Sequence, residues 1–302
     1  MKAVQFAEYG GPEVLKVVEV EEPHAGPGQI RRAVRAAGVN PIDWKIRSGA
    51  LAAMMPLRLP SGVGMGASGV VDEVGEGVGG VVIGDAVFGT AVSGAAADYA
   101  VLAEWARKPG GLSFEEAAGF PMATETARRA LNLLPMSPGQ TLVVNGAAGG
   151  VGLAAVQFAV GGGVTVIGTA SDKNHEYLRS LGVIPTTYGG GLVDRVRELA
   201  PQGVDVALDT VGSGVLPDLI RLTGSAVRVI TIADSDAARY GVGFASGGVG
   251  RAPEARAEAA ELFARGKFRL PVAETFTLET IAAAHAKSEQ GHGLGKYIVR
   301  VS

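Results

Sequence analysis

The segment Val143-Val144-Asn145-Gly146-Ala147-Ala148-Gly149-Gly150-Val151-Gly152 carries the clearest chemical signal in this sequence. Strand-like apolar residues give way to glycines, and the glycines to a helical apolar pattern. Glycine lets a backbone take unusual angles and approach a ligand closely. The open N–H groups of a new helix, together with its dipole, attract an anion. A glycine turn that follows a buried strand and opens a helix fits a pyrophosphate cradle. Gly146, Ala147, Ala148, Gly149, Gly150, Val151 and Gly152 are therefore expected to line a dinucleotide. The alternative is a close helix–strand packing turn that holds no ligand.

The choice of dinucleotide is read further along. Sites for NAD usually place a carboxylate at the tip of the second strand, roughly 20 residues on. Here that strand ends Val166-Ile167-Gly168-Thr169-Ala170-Ser171, with no carboxylate at its tip. Ser171 and Lys173 could hold a 2′-phosphate by hydrogen bond and charge. Asp172 lies between them, and helix N-capping is its plain role, one that Ser171 could also fill. The balance favours NADP(H). A second polar cluster is Asn40-Pro41-Ile42-Asp43-Trp44-Lys45-Ile46-Arg47, a turn between two β-like pieces. On its residue types alone it is either a solvated loop or a part of a site.

These two segments need a scaffold. The chain has 302 residues, enough for two domains by the usual length prior. It is 47% apolar and 19% charged, so a large core is within reach and disorder is excluded. A net charge of −3 argues against nucleic acid, which calls for a basic face. No polybasic run points to an anionic membrane either. With no cysteine, disulfides and thiolate metal sites are excluded. The N-terminus, Met1 to Phe6, alternates like a strand and lacks the apolar core of a signal peptide. A cytoplasmic location is expected. Residues 130–171 contain no Asp, Glu, Lys or Arg and match a membrane span in length. Pro135, Pro138 and the glycines inside the stretch break that pattern, and a strand, turn, helix and strand explain it better.

Residues 1 to about 110 read as short strands punctuated by turns, such as Gly10-Gly11-Pro12 and Gly84-Asp85, which suggests an irregular β-barrel. Ser113 and Glu116 mark a helix start. Strands over Thr141 to Asn145, Val164 to Thr169, Val204 to Asp209 and Ala226 to Ile232 then alternate with helices over Val151 to Val160 and His175 to Leu181. That alternation predicts a parallel, doubly wound sheet. Helices are expected over Glu254 to Arg265 and Leu278 to Ser288, and a last strand over Tyr297 to Val301.

Several of these segments together resemble one family. Tyr9-Gly10-Gly11-Pro12-Glu13-Val14-Leu15, the Asn40-Pro41-Ile42-Asp43 turn, Val82-Ile83-Gly84-Asp85-Ala86-Val87 and the glycine turn are similar to the zinc-free quinone oxidoreductases of the medium-chain dehydrogenase/reductase superfamily. Val204 to Asp209, Ala264-Arg265-Gly266-Lys267 and Gly295-Lys296 agree, and the resemblance spans nearly the whole chain in order. It implies an α/β protein with a GroES-like β-barrel catalytic domain and a Rossmann doubly wound parallel-sheet domain. The catalytic domain would be residues 1–112, rejoined by about 255–302, and the NADP-binding Rossmann domain 113–254. The active site would sit in the cleft between them.

Zinc-dependent members of that superfamily use a cysteine where Asp43 falls, and a Gly-His-Glu segment where Gly64-Met65-Gly66 stands. His24, His175, His285 and His292 give no tetrahedral site without a thiolate, so no metal is expected; His285 and His292 are taken as structural or exposed. The resemblance then implies hydride transfer from NADPH to the β-carbon of a conjugated carbonyl, or to a quinone. The developing enolate oxygen would be stabilised by fixed donors. Asn40 and Lys45 are the candidates, with Asp43 orienting Lys45 or the nicotinamide ribose. Many quinone reductases of this family have a tyrosine where Lys45 stands, and Asp43-Trp44-Lys45 looks more like the alkenal and oxoene reductases. Thr126 is similar to a residue beside the nicotinamide, and Tyr188 to one near the adenosine or in core packing. Lys296 would reach the 2′-phosphate or flank the last strand. Residues 240–251 would cover the substrate or simply connect. A homodimer paired at its sheet edges is the family's common form. Two other readings stay open: a pathway-specific enoyl or keto reductase of secondary metabolism, and a weakly catalytic, crystallin-like nucleotide-binding protein.

Overall fold

A computed structural model describes residues 1–92, 94–291 and 293–301. His292 therefore lies outside the described residues. The strands are β1 Lys2–Phe6, β2 Lys16–Glu19 and β3 Ile30–Val39, followed by helix α1 Pro41–Arg47. Next come β4 Ser61–Gly62, β5 Gly66–Val74, β6 Ala86–Ala91, β7 Tyr99–Arg107 and helix α2 Phe114–Asn132. Then follow β8 Thr141–Asn145, α3 Gly150–Gly161, β9 Thr165–Thr169, α4 His175–Ser180, β10 Ile184–Thr186, α5 Leu192–Leu199 and β11 Val206–Asp209. The chain ends with α6 Leu216–Thr223, β12 Val229–Thr231, β13 Gly243–Phe244, α7 Ala255–Ala264, β14 Val272–Thr277, α8 Ile281–Gln290 and β15 Lys296–Arg300.

Two compact units result: Met1–Met122 with Arg256–Ser302, and Ala123–Ala255. In the first, the strand order is β14-β15-β3-β5-β6-β7, and β3 also pairs with β7, so the sheet closes on itself. The long strand β3 makes this possible. Its first residues, Ile30 to Ala33, pair with Leu102 to Tyr99, and its last, Ala36 to Val39, pair with Arg300 to Tyr297. Alternate side chains of β1, β3 and β15 fill one core, including Val4, Phe6, Val34, Val39 and Val299. Gly38, at the end of β3, admits α2 closely, because a Cβ there would sit 2.5 Å from Ala118 O.

The second unit is a sheet in the order β10-β9-β8-β11-β12-β13. Its neighbours pair in parallel throughout. Val143, Ile167, Ala207 and Val229 on adjacent strands share a core with Val196, Leu216 and Leu219. Residues 130–171 resolve into the end of α2, β8, α3 and β9. Helix α3 is buried along most of its length, which explains why it carries no charge. No helix among the described residues is long and apolar enough to cross a membrane.

The expected capping of α2 is present: Glu116 N donates to Ser113 Oγ at 3.1 Å and Ser113 N to Glu116 Oε2 at 3.1 Å. That helix continues to Asn132, so the division between units falls inside it rather than before it. Two expectations are corrected. The polar turn at Pro41 is a helix, because Pro41 supplies the fixed φ that a first helical position favours. Ala226 to Ile232 is not one strand. Ala226–Arg228 forms a 3₁₀ turn with Val227 75% exposed, and only Val229–Thr231 joins the sheet.

Candidate active site

The first unit brings together residues 256 positions apart. Strand β3 ends at Val39, and Asn40 keeps an extended backbone (φ −126°, ψ 152°) as the N-cap of α1. Asp43, one turn on, accepts at Oδ2 from the Asn40 backbone N–H at 2.8 Å and from Asn40 Nδ2 at 3.3 Å. Asn40 Nδ2 also donates to Gly38 O at 3.2 Å. From β15, paired alongside, Lys296 Nζ donates to Asn40 Oδ1 at 2.5 Å and to Val39 O at 2.9 Å. Asn40, Asp43 and Lys296 are all buried.

Burial sets the electrostatics of this cluster. It pushes the Asp43 carboxyl up to about 6, against the pull of the Asn40 N–H groups and the Lys296 charge. It pushes the Lys296 ammonium down to about 8, against the attraction of Asp43. Asp43 Oδ1 and Trp44 Nε1 are buried with no hydrogen-bond partner among the described residues. Lys45 remains partly exposed, its Nζ 5.7 Å from the centre of the Trp44 ring.

Two expectations change here. Asn40, expected as a donor to the substrate, has both ends of its amide committed inside the fold. Of the two cations on α1, Arg47 is buried and Lys45 is partly exposed. Lys296 was to serve the 2′-phosphate or merely flank the last strand, yet its ammonium is buried on Val39 and Asn40 of the first unit. Sequence reasoning had no access to this pairing, which depends on the register Tyr297 to Val39 between β15 and β3.

The second unit builds the glycine turn. Gly146 takes φ +81°, and a Cβ there would lie 2.4 Å from Val211 Cγ2. A Cβ on Gly152 would lie 2.1 Å from Gly146 O, so this glycine lets the helix start press on the turn. Ala147 and Ala148 are buried beneath it, with Gly150 and Val151 in the first turn of α3. Gly149 is the N-cap of α3 and supplies no side-chain cap. A Cβ there would meet only Gly146 O, at 3.5 Å. The space beside Gly149 at the start of α3 is thus open, and a helix start of this kind fits a pyrophosphate.

A network at the carboxyl ends of four neighbouring strands holds that turn. Asp209, buried at the tip of β11, accepts from Asn145 Nδ2 at 2.9 Å, Val211 N at 3.0 Å and Thr231 Oγ1 at 2.7 Å. Thr169 Oγ1 donates to Asn145 Oδ1 at 2.7 Å and accepts from Gly146 N at 3.0 Å. Sequence reasoning placed Asp209 and Asn145 at strand ends but gave them no task. The parallel register, Asp209 beside Asn145, is the signal that joins them.

Beyond β9, Ser171 is partly exposed and Lys173 exposed, flanking the exposed Asp172. Asn174 Nδ2 donates to Ser171 Oγ at 3.3 Å. Tyr188 is 50% exposed, which sets aside a core-packing role. Thr126 Oγ1 accepts from Arg129 Nη2 at 3.4 Å. Arg129 also pairs with Glu125 at 3.0 Å and donates to Ala245 O at 2.5 Å, while Ala252 N donates to Glu125 at 3.4 Å. The 240–251 segment is therefore fastened to α2 and adds β13 to the sheet, and is not a plain connector.

Among the described residues the potential zinc ligands are not gathered together. Asp43 occupies the turn and is engaged by Asn40. His24 is exposed beside Glu73, and His175 contacts Ala170 O at 3.2 Å. His285 is buried in α8, pushed down to about 4 by burial and by Arg47. No group of three or more potential ligands occurs among the described residues.

Comparison with known proteins agrees with this architecture. Residues 26–119 match the alcohol dehydrogenase GroES-like domain family and residues 187–299 the zinc-binding dehydrogenase family. The chain is 36% identical to the synaptic vesicle membrane protein VAT-1 homolog of Mus musculus over 70% of its own length, and spans about half (54%) of that relative. It is 33% identical to a quinone oxidoreductase of Lama guanicoe, covering 77% of this chain and 72% of that one. A 2-methylene-furan-3-one reductase of Solanum lycopersicum is 35% identical over 76% of this chain and 62% of its own. Among solved structures, the quinone oxidoreductase of Coxiella burnetii superposes with a TM-score of 0.85 at 31% identity, covering 100% and 99% of the two chains. That of Escherichia coli, complexed with NADPH, does so with a TM-score of 0.86 at 26% identity and full coverage of both.

Proposed function

Because the chain belongs to the quinone oxidoreductase and enone reductase branch of the medium-chain dehydrogenase/reductase superfamily, we propose that it is an NADPH-dependent reductase of conjugated carbonyls or quinones that works without zinc. The observation that carries this reading is the glycine turn of the second unit, open above Gly149 where a dinucleotide phosphate would lie. NADP(H) is the cofactor it takes, a reading supported by the NADPH complex of the Escherichia coli relative. Bound NADPH supplies a hydride. Gly149, Gly150, Val151 and Gly152 hold the pyrophosphate with backbone N–H groups. Ser171 and Lys173 would hold the 2′-phosphate by hydrogen bond and charge, with Thr126 a candidate for the nicotinamide end and Tyr188 for the adenosine end.

Lys45 stabilises the oxygen that gains charge as hydride reaches the β-carbon of the acceptor. Water returns a proton to the α-carbon. The Asn40–Asp43 turn fixes the start of α1 from which Lys45 extends. A lysine at position 45 suits a compact enolate oxygen and favours an enone, in keeping with the furanone reductase relative.

The test is NADPH oxidation with a panel of short enones and quinones, run beside NADH. Turnover of an enone with NADPH, and much slower turnover with NADH, is the expected result. NADPH binding with no acceptor reduced would move the reading to a non-catalytic nucleotide-binding protein. Homodimer assembly and a cytoplasmic location belong to this same proposal.

A further inference from the structure

Lys296 of β15 has a task that its burial and its partners define, and the assignment rests on the reductase reading above. Its stem lies against α2 at Gly119, where a Cβ would come within 3.0 Å of Lys296 Cγ. Its ammonium donates to Val39 O and Asn40 Oδ1. With Oδ1 held there, the Asn40 amide directs Nδ2 to Gly38 O and Asp43 Oδ2. Asp43 is thereby turned so that Oδ2 is engaged while Oδ1 stays buried and without a partner among the described residues. An unpartnered buried carboxylate oxygen is costly to a fold. It fits an acceptor that a ligand completes.

We propose that Lys296 is a positioning residue of the reductase: through Asn40 it orients the Asp43 carboxylate, and by its charge it keeps that carboxylate an ionised acceptor with Oδ1 free. The other charged groups around α1 do not share this task. Arg47 pairs with Glu289 of α8 and donates to Gly10 O at 3.1 Å. His285 of α8 is held neutral by burial and by Arg47. Lys45 extends over Trp44. Lys296 is the charged group that acts on Asp43.

The experiment follows the ¹³C carboxyl resonance of Asp43 through a pH titration of the full chain, identified by its loss in Asp43→Asn. Wild type is compared with Lys296→Met, which keeps the stem, and with Lys296→Gln, which keeps a donor. The wild-type midpoint is expected at about 6. In both variants it should rise by about one unit or more, since a neighbouring opposite charge is worth that much. The acid limb of kcat/KM should move with it, whereas loss of a strut alone would lower kcat/KM at every pH without moving the limb. An unchanged Asp43 midpoint overturns the assignment, whatever the activity. So does unfolding of both neutral variants by circular dichroism, which would make Lys296 a strut. A wild-type chain that reduces no acceptor sinks the reductase reading instead, and the carboxyl titration still judges Lys296.

Discussion

Alanine at Gly149 and alanine at Gly152 should separate the two duties of the phosphate turn. At Gly152 the new Cβ would sit 2.1 Å from Gly146 O and 2.8 Å from Ala147 Cα, both backbone atoms. No side chain can swing away, so the turn must open by about 1.3 Å to reach an ordinary 3.4 Å contact. Such crowding costs about 1–3 kcal/mol of stability. A displacement of ~1 Å in the groups that position a substrate costs on the order of 10²-fold in rate. At Gly149 the backbone is extended (φ −75°, ψ 167°), which alanine adopts freely. Its Cβ would meet only Gly146 O, at 3.5 Å. Gly149→Ala should therefore melt within about 0.5 kcal/mol of wild type. Its methyl nevertheless fills the space a phosphate needs, and NADPH affinity should fall about tenfold or more, roughly 1.4 kcal/mol. Thermal melts and calorimetric NADPH titrations read the two effects apart. A Gly149→Ala chain that binds NADPH as tightly as wild type would refute the cradle, because the open space would then have no occupant.

Three further outcomes follow from the same geometry. Lys45→Met should lower kcat with an enone by about 10²–10³-fold, the usual loss of an oxyanion-stabilising donor, while calorimetry finds NADPH affinity unchanged. Lys173→Ala should cut the preference for NADPH over NADH by about tenfold, the worth of one charged hydrogen bond to phosphate, measured as the ratio of kcat/KM values. The double variant Asp43→Asn/Lys296→Met should be more stable than wild type, with the largest gain between pH 6 and 8. Asp43 is raised from 3.8 to about 6, so its stabilising contribution is complete below pH 3.8 and lost as pH rises through 6. Lys296 is lowered from 10.5 to about 8, so its contribution is complete above pH 10.5 and lost as pH falls through 8. Both charged forms therefore weigh on the fold in that window. Melting temperatures across pH that show no such maximum in the difference would contradict the argument.

The local signals in the sequence were the readable ones. The capping box at Ser113 and Glu116, the apolar run of β8 and the glycines after it follow from short-range chemistry, and they appear where that chemistry puts them. Strands β8 and β9 were legible because a parallel sheet buried on both faces leaves long uncharged runs, whereas the short strands β10 and β13 were not read. Two amphipathic helices, α5 and α6, were not read because each is only 8 residues long, barely two turns beside flanking glycines. Helix α1 was hidden by its polar residues, whose purpose is long-range. Nothing in the sequence near Asn40 announces that Lys296 will lie on it, since the pairing is set by strand register across the barrel. The Asp209 network was missed for a like reason: Asn145 and Thr231 meet Asp209, and Thr169 meets Asn145, only because four parallel strands end at one level.

Burial of a charge does not by itself mark a site, and Arg32 shows why. Its guanidinium is buried in the first unit, pushed down to about 9 by desolvation alone, and donates to Ala67 O. Its Nε and Nη2 have no partner among the described residues. Among the described residues no titratable group acts on it. Asp43 and Lys296 differ in being paired through a third side chain that fixes both. Capping of α1 requires only the bond from the Asn40 backbone N–H to Asp43 Oδ2. An apolar residue at 296 would pack β15 against β3 and avoid the desolvation of a buried ammonium. The fold thus accounts for Oδ2 of Asp43 but not for Oδ1, nor for the ammonium of Lys296. What remains once the fold's own needs are met is a buried, unpartnered oxygen of Asp43 two residues from Lys45, and that remainder is where the proposed chemistry of this unit is to be sought.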